Sequence, residues 1–558
     1  MSMFLLTMFS LLITPSAALA QAVSGTLLGA VSDQNGASVP GAKLTFTHPA
    51  TGLTRSITSD ESGEYVAPNL PTGLYNIVVE ANGFKKANLT NVQLGVDQKL
   101  RVDVKLEIGA ASESVEVQGG AALVQTDSSD LSGTINERQI VNLPLNGRNF
   151  VALTRTLPGV QRGIPGANID GAGSLAWRAS ASFSANGMRT RDNNFMLDGV
   201  DNNETWLNSV VIFPSVDALE EFKVQTSTYS AEFGRSSGGV VNIQIKSGQN
   251  AFHGSAFEFL RNNKLDANDF FNNRNRRNLN ANGKAQTPPF KQNQFGGTAG
   301  GHIRKDKTFF FGDYQGTRIR DSKTYLSNVP TLKMRTGDFS ELTNVIYNPL
   351  TNQPFAGNII PAAQFDPAAK KIIDELYPLP NVAGTRAANG QIINNFIYNP
   401  VLQREDDQFD AKIDNYFSSN NRFFGRYSFE RTHRFLPASI PHGDAGFTFG
   451  AGNGLVRAQS LALNDTHTFS PSWLNEFRFG FSRIGFKVTS IDAGTNLAQS
   501  VGIPGVNITD TATAMSQIAF NPGQEIRHLG ANGNQPLLTF LDTFQIFDNV
   551  THTRGNHT

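Results

Sequence analysis

From about residue 251 to residue 558, side chains alternate with a period of two, in runs of roughly ten residues separated by turns. Phe409, Ala411 and Ile413 alternate with Asp410, Lys412 and Asp414. Phe423, Gly425, Tyr427 and Phe429 alternate with Arg422, Phe424, Arg426, Ser428 and Glu430. Leu461, Leu463, Asp465, His467 and Phe469 lead to a turn at Ser470-Pro471-Ser472. Trp473, Asn475, Phe477, Phe479 and Phe481 then alternate with Leu474, Glu476, Arg478, Gly480 and Ser482. In a strand that period puts the aromatic set on one face and the polar set on the other. Apart from the first residues, no segment approaches the ~18 consecutive apolar residues of a spanning helix. A chain of this kind crosses a membrane only as a closed β-barrel, because lipid satisfies no open backbone group. A soluble sandwich also alternates. The mixture of full charges with glycine on the polar face, and short turns such as Lys305-Asp306-Lys307, favour the barrel with a wet lumen.

Composition narrows the remaining possibilities. At ~150 residues per domain, 558 residues predict three to four domains. Lys+Arg and Asp+Glu are both 47, so the chain carries no polyanion-binding footprint and no nucleic-acid partner is expected. Cysteine is absent, which removes disulfides, thiol catalysis and Cys-ligated zinc. The charged fraction is 17%, below the ~25% of soluble domains. The 41 Phe and 52 Gly must therefore have structural work in a setting poor in charge.

Residues 1–20 predict a signal peptide: an apolar run over residues 3–13, Pro15, and Ala18-Leu19-Ala20 as a small-x-small cleavage pattern. No Lys or Arg precedes Lys43, so the usual basic start is missing, and a short buried helix is the alternative. About seven short strands follow over residues 22–108, with turns at Asp33-Gln34-Asn35-Gly36 and Asp60-Glu61-Ser62-Gly63. That density suits a small β-sandwich. The order of Val39-Pro40-Gly41-Ala42, Asp60-Glu61-Ser62-Gly63-Glu64-Tyr65, Leu70-Pro71-Thr72-Gly73-Leu74-Tyr75 and Ala81-Asn82-Gly83-Phe84 resembles the carboxypeptidase regulatory-like (transthyretin-like) domain. Related sandwiches bind carbohydrate, but no aromatic platform for it is legible here.

Residues 109–250 begin with the alternating stretch Glu113, Ser114, Val115, Glu116 and Val117. It reads either as an exposed edge that pairs with a partner strand or as the first strand of the next domain. Then come Asn142-Leu143-Pro144-Leu145-Asn146-Gly147-Arg148-Asn149-Phe150, Asn186-Gly187-Met188-Arg189 and Leu197-Asp198-Gly199-Val200. Glu220-Glu221-Phe222-Lys223-Val224, Glu232-Phe233-Gly234 and Gly238-Gly239-Val240-Val241-Asn242-Ile243 complete the series. In this order the motifs resemble the plug domain of TonB-dependent outer-membrane receptors, closest to the Oar-like group. The resemblance implies a small α/β plug inside a 22-stranded barrel. It makes Asn146, Gly147, Arg148, Asn186, Gly187, Arg189, Asp198, Gly199, Gly238 and Gly239 plug-motif residues. It also makes residues 113–117 the candidate for the box at which a periplasmic TonB-type protein adds a strand.

Several apparent chemical motifs fail on context. Gly234-Arg235-Ser236-Ser237-Gly238 matches G-x-S-x-G, but a strand pattern follows where a nucleophile elbow needs a helix. Asp192, Asp198 and Asp201 suggest calcium, yet Val200 occupies a required ligand position. The nine His form no H-E-x-x-H pair. The basic groups Arg274-Asn275-Arg276-Arg277 and residues 426–434 read as solvated or lumen-facing rows. No catalytic residue, metal or cofactor is expected.

Residues 324–404 break the alternating rhythm and resemble a long external loop of the Oar-like barrel, with a short helix over residues 368–376. Loops of that length are usually functional, so this is the expected region of ligand capture; the ligand-binding residues themselves are unknown. A 22-stranded barrel at roughly 20 residues per strand needs ~440 residues. Residues 251–558 supply about 308, a loop of ~80 included, enough for ~10 to 12 strands. The chain is therefore expected to be C-terminally incomplete. The combined expectation is a mainly β protein: an N-terminal β-sandwich of the transthyretin/carboxypeptidase regulatory-like kind, a small α/β plug and a partial antiparallel transmembrane β-barrel over residues 251–558. The resemblance implies an outer-membrane receptor, without enzymatic activity, that takes up a scarce solute such as a siderophore or glycan. Its partners would be the TonB-type protein and outer-membrane lipid. The alternatives are a surface protein for adhesion or export on the same architecture, and a secreted carbohydrate-binding β-protein.

Overall fold

The computed structural model describes residues 24–110, 113–118, 130–163, 182–206, 209–230, 232–234, 236–274, 283–443, 450–470, 472–507, 509, 513–520 and 526–553. The expected signal peptide lies outside these residues, as does most of the basic group at 274–277.

Residues 25–106 form eight strands, one more than the turn signals suggest. They are β1 (Gly25–Asp33), β2 (Lys43–His48), β3 (Leu53–Thr58), β4 (Glu64–Leu70), β5 (Gly73–Glu80), β6 (Lys86–Leu94), β7 (Lys99–Arg101) and β8 (Val104–Leu106). Strand β1 is central to one sheet, flanked by β4, with β7 and β8 in parallel on its other side. The second sheet has the order β3-β2-β5-β6. Alternate residues of both sheets meet in a core that includes Leu27, Val31, Leu44, Phe46, Tyr75 and Ile77. The buried Tyr65 hydroxyl donates to the Val102 carbonyl at 2.6 Å, as a buried phenol requires.

The Glu113–Val117 stretch belongs to this sandwich. It lies on β9 (Ser114–Gln118), which pairs in parallel with β6 from Lys86↔Ser114 to Thr90↔Gln118. It is therefore not the first strand of the next domain: it adds to the edge of the sandwich, although it sits within the stretch assigned to the plug by motif order. The connection folds back because Lys85 N donates to Glu107 O at 2.8 Å and Lys86 N donates to Glu113 O at 2.9 Å. The Lys85 ammonium also pairs with Glu113 at 3.0 Å. Among the described residues the outer edge of β9 pairs with nothing.

Next comes a mixed five-stranded sheet: β10 (Leu131–Asn136), β11 (Asn194–Leu197), β12 (Val200–Asp201), β13 (Leu219–Ser227) and β14 (Val240–Ile245). Its order is β10-β13-β14-β11-β12, with only β11 and β14 parallel. Helix α1 (Glu137–Asn142) leaves β10 through a capping box between Asn136 and Gln139. All six residues of β14 are buried, as a strand covered on both faces must be.

The last segment is an antiparallel meander of eight strands in sequence order: β15 (His253–Asn262), β16 (Phe290–Arg304), β17 (Thr308–Ser322), β18 (Val401–Ser418), β19 (Asn421–Leu436), β20 (Gly452–Ser470), β21 (Trp473–Ser490) and β22 (Leu537–His552). Eight replaces the ten to twelve expected, because the strands reach 19 residues and two connections, 323–400 and 491–536, take up much of the segment. Among the described residues β15 and β22 are its two edges. Among them, too, no helix is long and apolar enough to cross a membrane.

Register fixes what each face does. Lys412, Arg426, Ser460 and Arg478 turn inward and are buried. Outward, Phe409 stacks on Phe429 at 5.5 Å and Phe481 meets Phe544 at 4.9 Å, in a band that also carries Tyr427, Phe477 and Ile546. Further along the strands the outward face becomes ionic. Arg318 pairs with Asp407 at 2.7 Å, Arg320 pairs with Glu405, and Arg483 pairs with Asp542 at 2.6 Å. This change from aromatic to ion-paired marks the edge of the apolar zone.

The lumen is drier than its sequence suggests. Val456, Ala458, Ile484, Phe486 and Val488 also point inward and share one core with the five-stranded sheet, including Ile212 and Phe213. The turns at 305–307 and 419–420 are short and lie at one end, whereas the long connections lie at the other. Short turns are the periplasmic end of such a barrel and long loops the external end. The external connections pack on one another through Val329, Ile372, Leu376, Tyr377, Ile440, Val501, Met515 and Leu529. The helix expected at 368–376 is there, as α2 (Pro367–Lys371) capped by Asp366 and prolonged by a wider turn over Ile372–Leu376.

The facing assignment is testable. Phe481→Arg, at the centre of the outward aromatic band, should lower stability in lipid vesicles by about 2–4 kcal/mol. Leu538→Arg, outward beside Lys487 near the ionic rim, should cost about 0–1 kcal/mol. Urea unfolding midpoints compared for the two variants check the order.

Candidate functional site

The β11–β12 hairpin turns through Asp198 (φ 46°) and Gly199 (φ 73°), both left-handed, as a two-residue type I′ turn requires. The turn points into the barrel wall, and the wall answers with charge. The Asp198 carboxylate pairs with Arg426 Nε at 2.9 Å and with Lys412 Nζ at 3.4 Å. It also accepts the Ile245 N–H at 3.1 Å. Arg426 donates to the Leu197 carbonyl at 3.4 Å, and Arg478 donates to the Gly199 carbonyl at 2.9 Å. Lys412 donates in addition to Ile245 O at 2.8 Å. Arg426 and Arg478 are each 1% exposed; both buried cations reach this hairpin, and Arg478 is also paired with Glu476 of its own strand at 2.5 Å. Gly480 lets the hairpin come close, since a Cβ there would lie 2.8 Å from Val200 Cγ1.

Other contacts tie the same two bodies. Phe213 N donates to Glu430 at 3.0 Å, Ser215 Oγ to Gln315 at 3.1 Å, and Asp201 N to Gln545 at 3.0 Å. Asn146, Gly147 and Arg148 form a tight turn with Gly147 and Arg148 at positive φ. The Arg148 guanidinium pairs with Asp217 and lies over the rings of Phe257 and Phe259 of β15, at 4.7 and 4.4 Å. That contact combines a salt bridge with a cation–π stack.

The remaining motif residues shape the sheet. Asn186 and Gly187 form a second left-handed turn, and Asn186 Nδ2 donates to Thr226 O at 2.7 Å. The Arg189 carbonyl accepts Asp192 N at 3.0 Å while its side chain is exposed. Gly238 and Gly239 bring the start of β14 against β11: Gly238 N donates to Asp192 O at 2.8 Å and Asn194 N to Gly239 O at 2.9 Å. Asp192 and Asp201 serve the backbone locally, Asp201 accepting Asn203 N at 2.6 Å. Among the described residues no group of three His, Asp or Glu side chains is placed to hold a metal. Glu113, Ser114, Val115, Glu116 and Val117 lie apart from all of these, at the far edge of the sandwich.

A second junction lies between the sandwich and β13, and motif reading does not identify it. Thr72 Oγ1 donates to Glu220 at 3.1 Å and accepts Gln244 Nε2 at 3.0 Å. Val96 N donates to Glu221. Lys223 Nζ meets the Asp97 carbonyl at 2.6 Å and its carboxylate at 3.1 Å. The signal was the E-E-F-K run, whose charges stand too close together for an ordinary half-exposed strand. Burial is the main cause that pushes Glu221 up to about 7, against the Val96 N–H and Lys223. Burial, then Glu221, pushes Glu220 up to about 8, opposed by Lys412 and Thr72. Glu220 is the less buried and lines a cavity of about 1240 Å³ among sandwich, sheet and barrel, so water there softens its shift. Burial also pushes Asp97 upward despite Lys223. At the external end, Asp492 at 2.9 Å holds His442 above its ordinary value and ties two long connections together.

Residues 244–558 match the family described as outer membrane beta barrel domain, and residues 26–107 match the carboxypeptidase regulatory-like domain. The TonB-dependent transporter Oar of Myxococcus xanthus is 30% identical over 322 residues, covering 55% of this chain. The match spans 28% of that relative's length. Among solved structures, the outer membrane transporter YddB from Escherichia coli is similar at 12% identity and a TM-score of 0.47, over 76% of this chain and 45% of that one. The ferric enterobactin receptor PfeA from Pseudomonas aeruginosa is similar at 12% identity and a TM-score of 0.37, over 77% and 56% of the two chains.

Two outcomes follow from the geometry. Asp198→Asn removes a counter-charge shared by two buried cations and should cost about 3–5 kcal/mol, the scale of a broken buried ion pair. Earlier tryptic cleavage within residues 190–245, in an intact barrel, is the reading that checks it. The sandwich junction should also weaken with rising pH. Its two carboxyls are raised when docked, so their contribution is complete below the free-carboxyl range and is lost as pH rises through about 7 and 8. Proteolytic release of the sandwich should therefore be faster at pH 8.5 than at pH 6, and Glu221→Gln should flatten that difference.

Proposed function

Because the chain belongs to the outer membrane beta barrel family, and so is an outer-membrane protein, we propose that it is a TonB-dependent receptor that imports a scarce solute. The observation that carries this reading is the five-stranded sheet lodged within the meander and fastened by the Asp198 turn. A body held there blocks passage through the lumen, so passage requires that it be moved. The likeness to the Myxococcus xanthus transporter supports the same reading.

In this mechanism no covalent bond is made or broken. The packed external connections 323–400 and 491–536 capture the solute, which is a siderophore, a glycan or a compound of similar scarcity. The five-stranded sheet is the plug. Strand β9 is the coupling element, with a free outer edge on which a partner strand adds by backbone hydrogen bonds. Its position just before β10 means that a pull on it reaches the plug through residues 119–130. Buried ion pairs suit a plug that must hold and then let go. Their attraction is largely offset by desolvation, so wetting the interface returns much of the cost of separation.

Deletion of residues 113–117 should abolish energy-dependent solute uptake while leaving the amount of protein in the outer membrane unchanged. Uptake at the parental rate in that variant would argue against β9 as the coupling strand. Uptake that is absent from the parent as well would favour adhesion or export on the same architecture.

A further inference from the structure

We propose that the sandwich is a door on the periplasmic mouth of the lumen, and that the plug stays in place until the sandwich detaches from β13. This rests on the receptor reading above and adds a second closure to it. The sandwich lies at the end of the barrel that carries the short turns. Ala50 O accepts Asn250 N at 2.9 Å, and a Cβ on Gly52 would stand 3.3 Å from Asp306 Cβ, in the β16–β17 turn. From there the sandwich reaches beneath the plug. Thr72, Val96 and Asp97 engage Glu220, Glu221 and Lys223, three positions on the same central strand.

The cavity of about 1240 Å³ shows what the door encloses. Its walls come from all three bodies: His48 and Thr72 from the sandwich, Glu220 and Gln244 from the plug, Lys412 and Tyr416 from the barrel. Lys412 is also a partner of Asp198, so the chamber begins at the charge network that holds the plug. A solute that passes the plug enters this chamber and finds the sandwich as its floor. The plug likewise cannot move toward the periplasm while β13 is latched to the sandwich.

The coupling strand is placed to work the latch. Strand β9 is a strand of the sandwich itself, joined to β6 by a five-residue parallel ladder. A pull on β9 therefore loads the sandwich directly, through that ladder. Order of release follows from this connection: sandwich first, plug second.

The absence of native cysteine allows a clean test in cells, using a small membrane-impermeant maleimide as the probe. Thr72→Cys reports the sandwich junction and Ser215→Cys reports the plug–barrel contact. Both should be labelled in energised cells and protected when a protonophore is added. The third variant carries Ser215→Cys with Gly52→Cys and Asp306→Cys; a Cβ at position 52 would stand 3.3 Å from that of 306, a few tenths of an ångström under the disulfide range, so the exposed turn at Gly52 (φ 73°) must open slightly for the bond to form. Oxidised, it should lose Ser215→Cys labelling, and reductant should restore it. The door is overturned if Ser215→Cys labels equally with the sandwich tethered, or if it labels while Thr72→Cys stays protected. In both cases the receptor reading stands. If Ser215→Cys is protected in energised cells throughout, energised plug movement fails and the door fails with it.

Discussion

One carboxylate organises the inside of this protein. Asp198 sits at the tip of a two-residue hairpin, where Arg426 and Lys412 from neighbouring barrel strands converge on it. Arg478 from a third inward-facing position reaches the next carbonyl. Without the hairpin Lys412 and Arg426 would lose a counter-charge they share, and Arg478, which Glu476 pairs at 2.5 Å, would lose its hydrogen bond to the Gly199 carbonyl. Without the wall the hairpin would present a carboxylate and two carbonyls to nothing. Each body therefore completes the other, and the glycines nearby are there for access: Gly199 for its left-handed φ and Gly480 for the approach of Val200.

That arrangement depends on the period-two register. Strands β18, β19 and β21 put Lys412, Arg426 and Arg478 on the same side as the plug only because Ile413, Tyr427 and Phe477 go to the other. A slip of one residue in any ladder would send a cation to lipid and an aromatic ring to the charge network. The two environments penalise that error together, which is why so long a meander has a single register. The low overall charge and the abundance of Phe are both consequences. Charge is concentrated at the lumen and beyond the apolar band, and Phe fills the outward face.

Much of this was legible in the sequence because it is local. Alternation identifies strand faces, Asp-Gly and Asn-Gly pairs identify left-handed turns, and the order of motifs resembles a known plug. What was not legible depends on partners distant in the chain. Arg426 and Arg478 read as members of a polar face, and nothing near them in sequence indicates that the Asp198-Gly199 turn, more than two hundred residues earlier, is what they face. The stretch around Val115 has a strand pattern, yet its parallel pairing with β6 is set by the fold-back at Glu107 and Glu113. The strand count was too high because the spacing of turns reveals neither strands of up to 19 residues nor the second long connection, 491–536, which packs with 323–400 in a core of its own. A wet lumen was inferred from Arg, Asp and Gly, while the inward Val456, Ile484 and Phe486 become meaningful only once the plug is seen against them.

The two junctions of the five-stranded sheet are built from different chemistry, and the difference bears on how each responds to water and pH. At the barrel wall full charges of opposite sign meet, and separating them exposes ions that water solvates well. At the sandwich, Glu220 and Glu221 are consecutive on one strand, both raised by burial and Glu220 also by Glu221, with Lys223 two residues further along. Docking is favoured there when the carboxyls are neutral, so undocking is accompanied by loss of protons. A junction of that kind weakens as the carboxyls ionise, because ionisation of one raises the cost of burying its neighbour. Release at the sandwich is therefore cooperative.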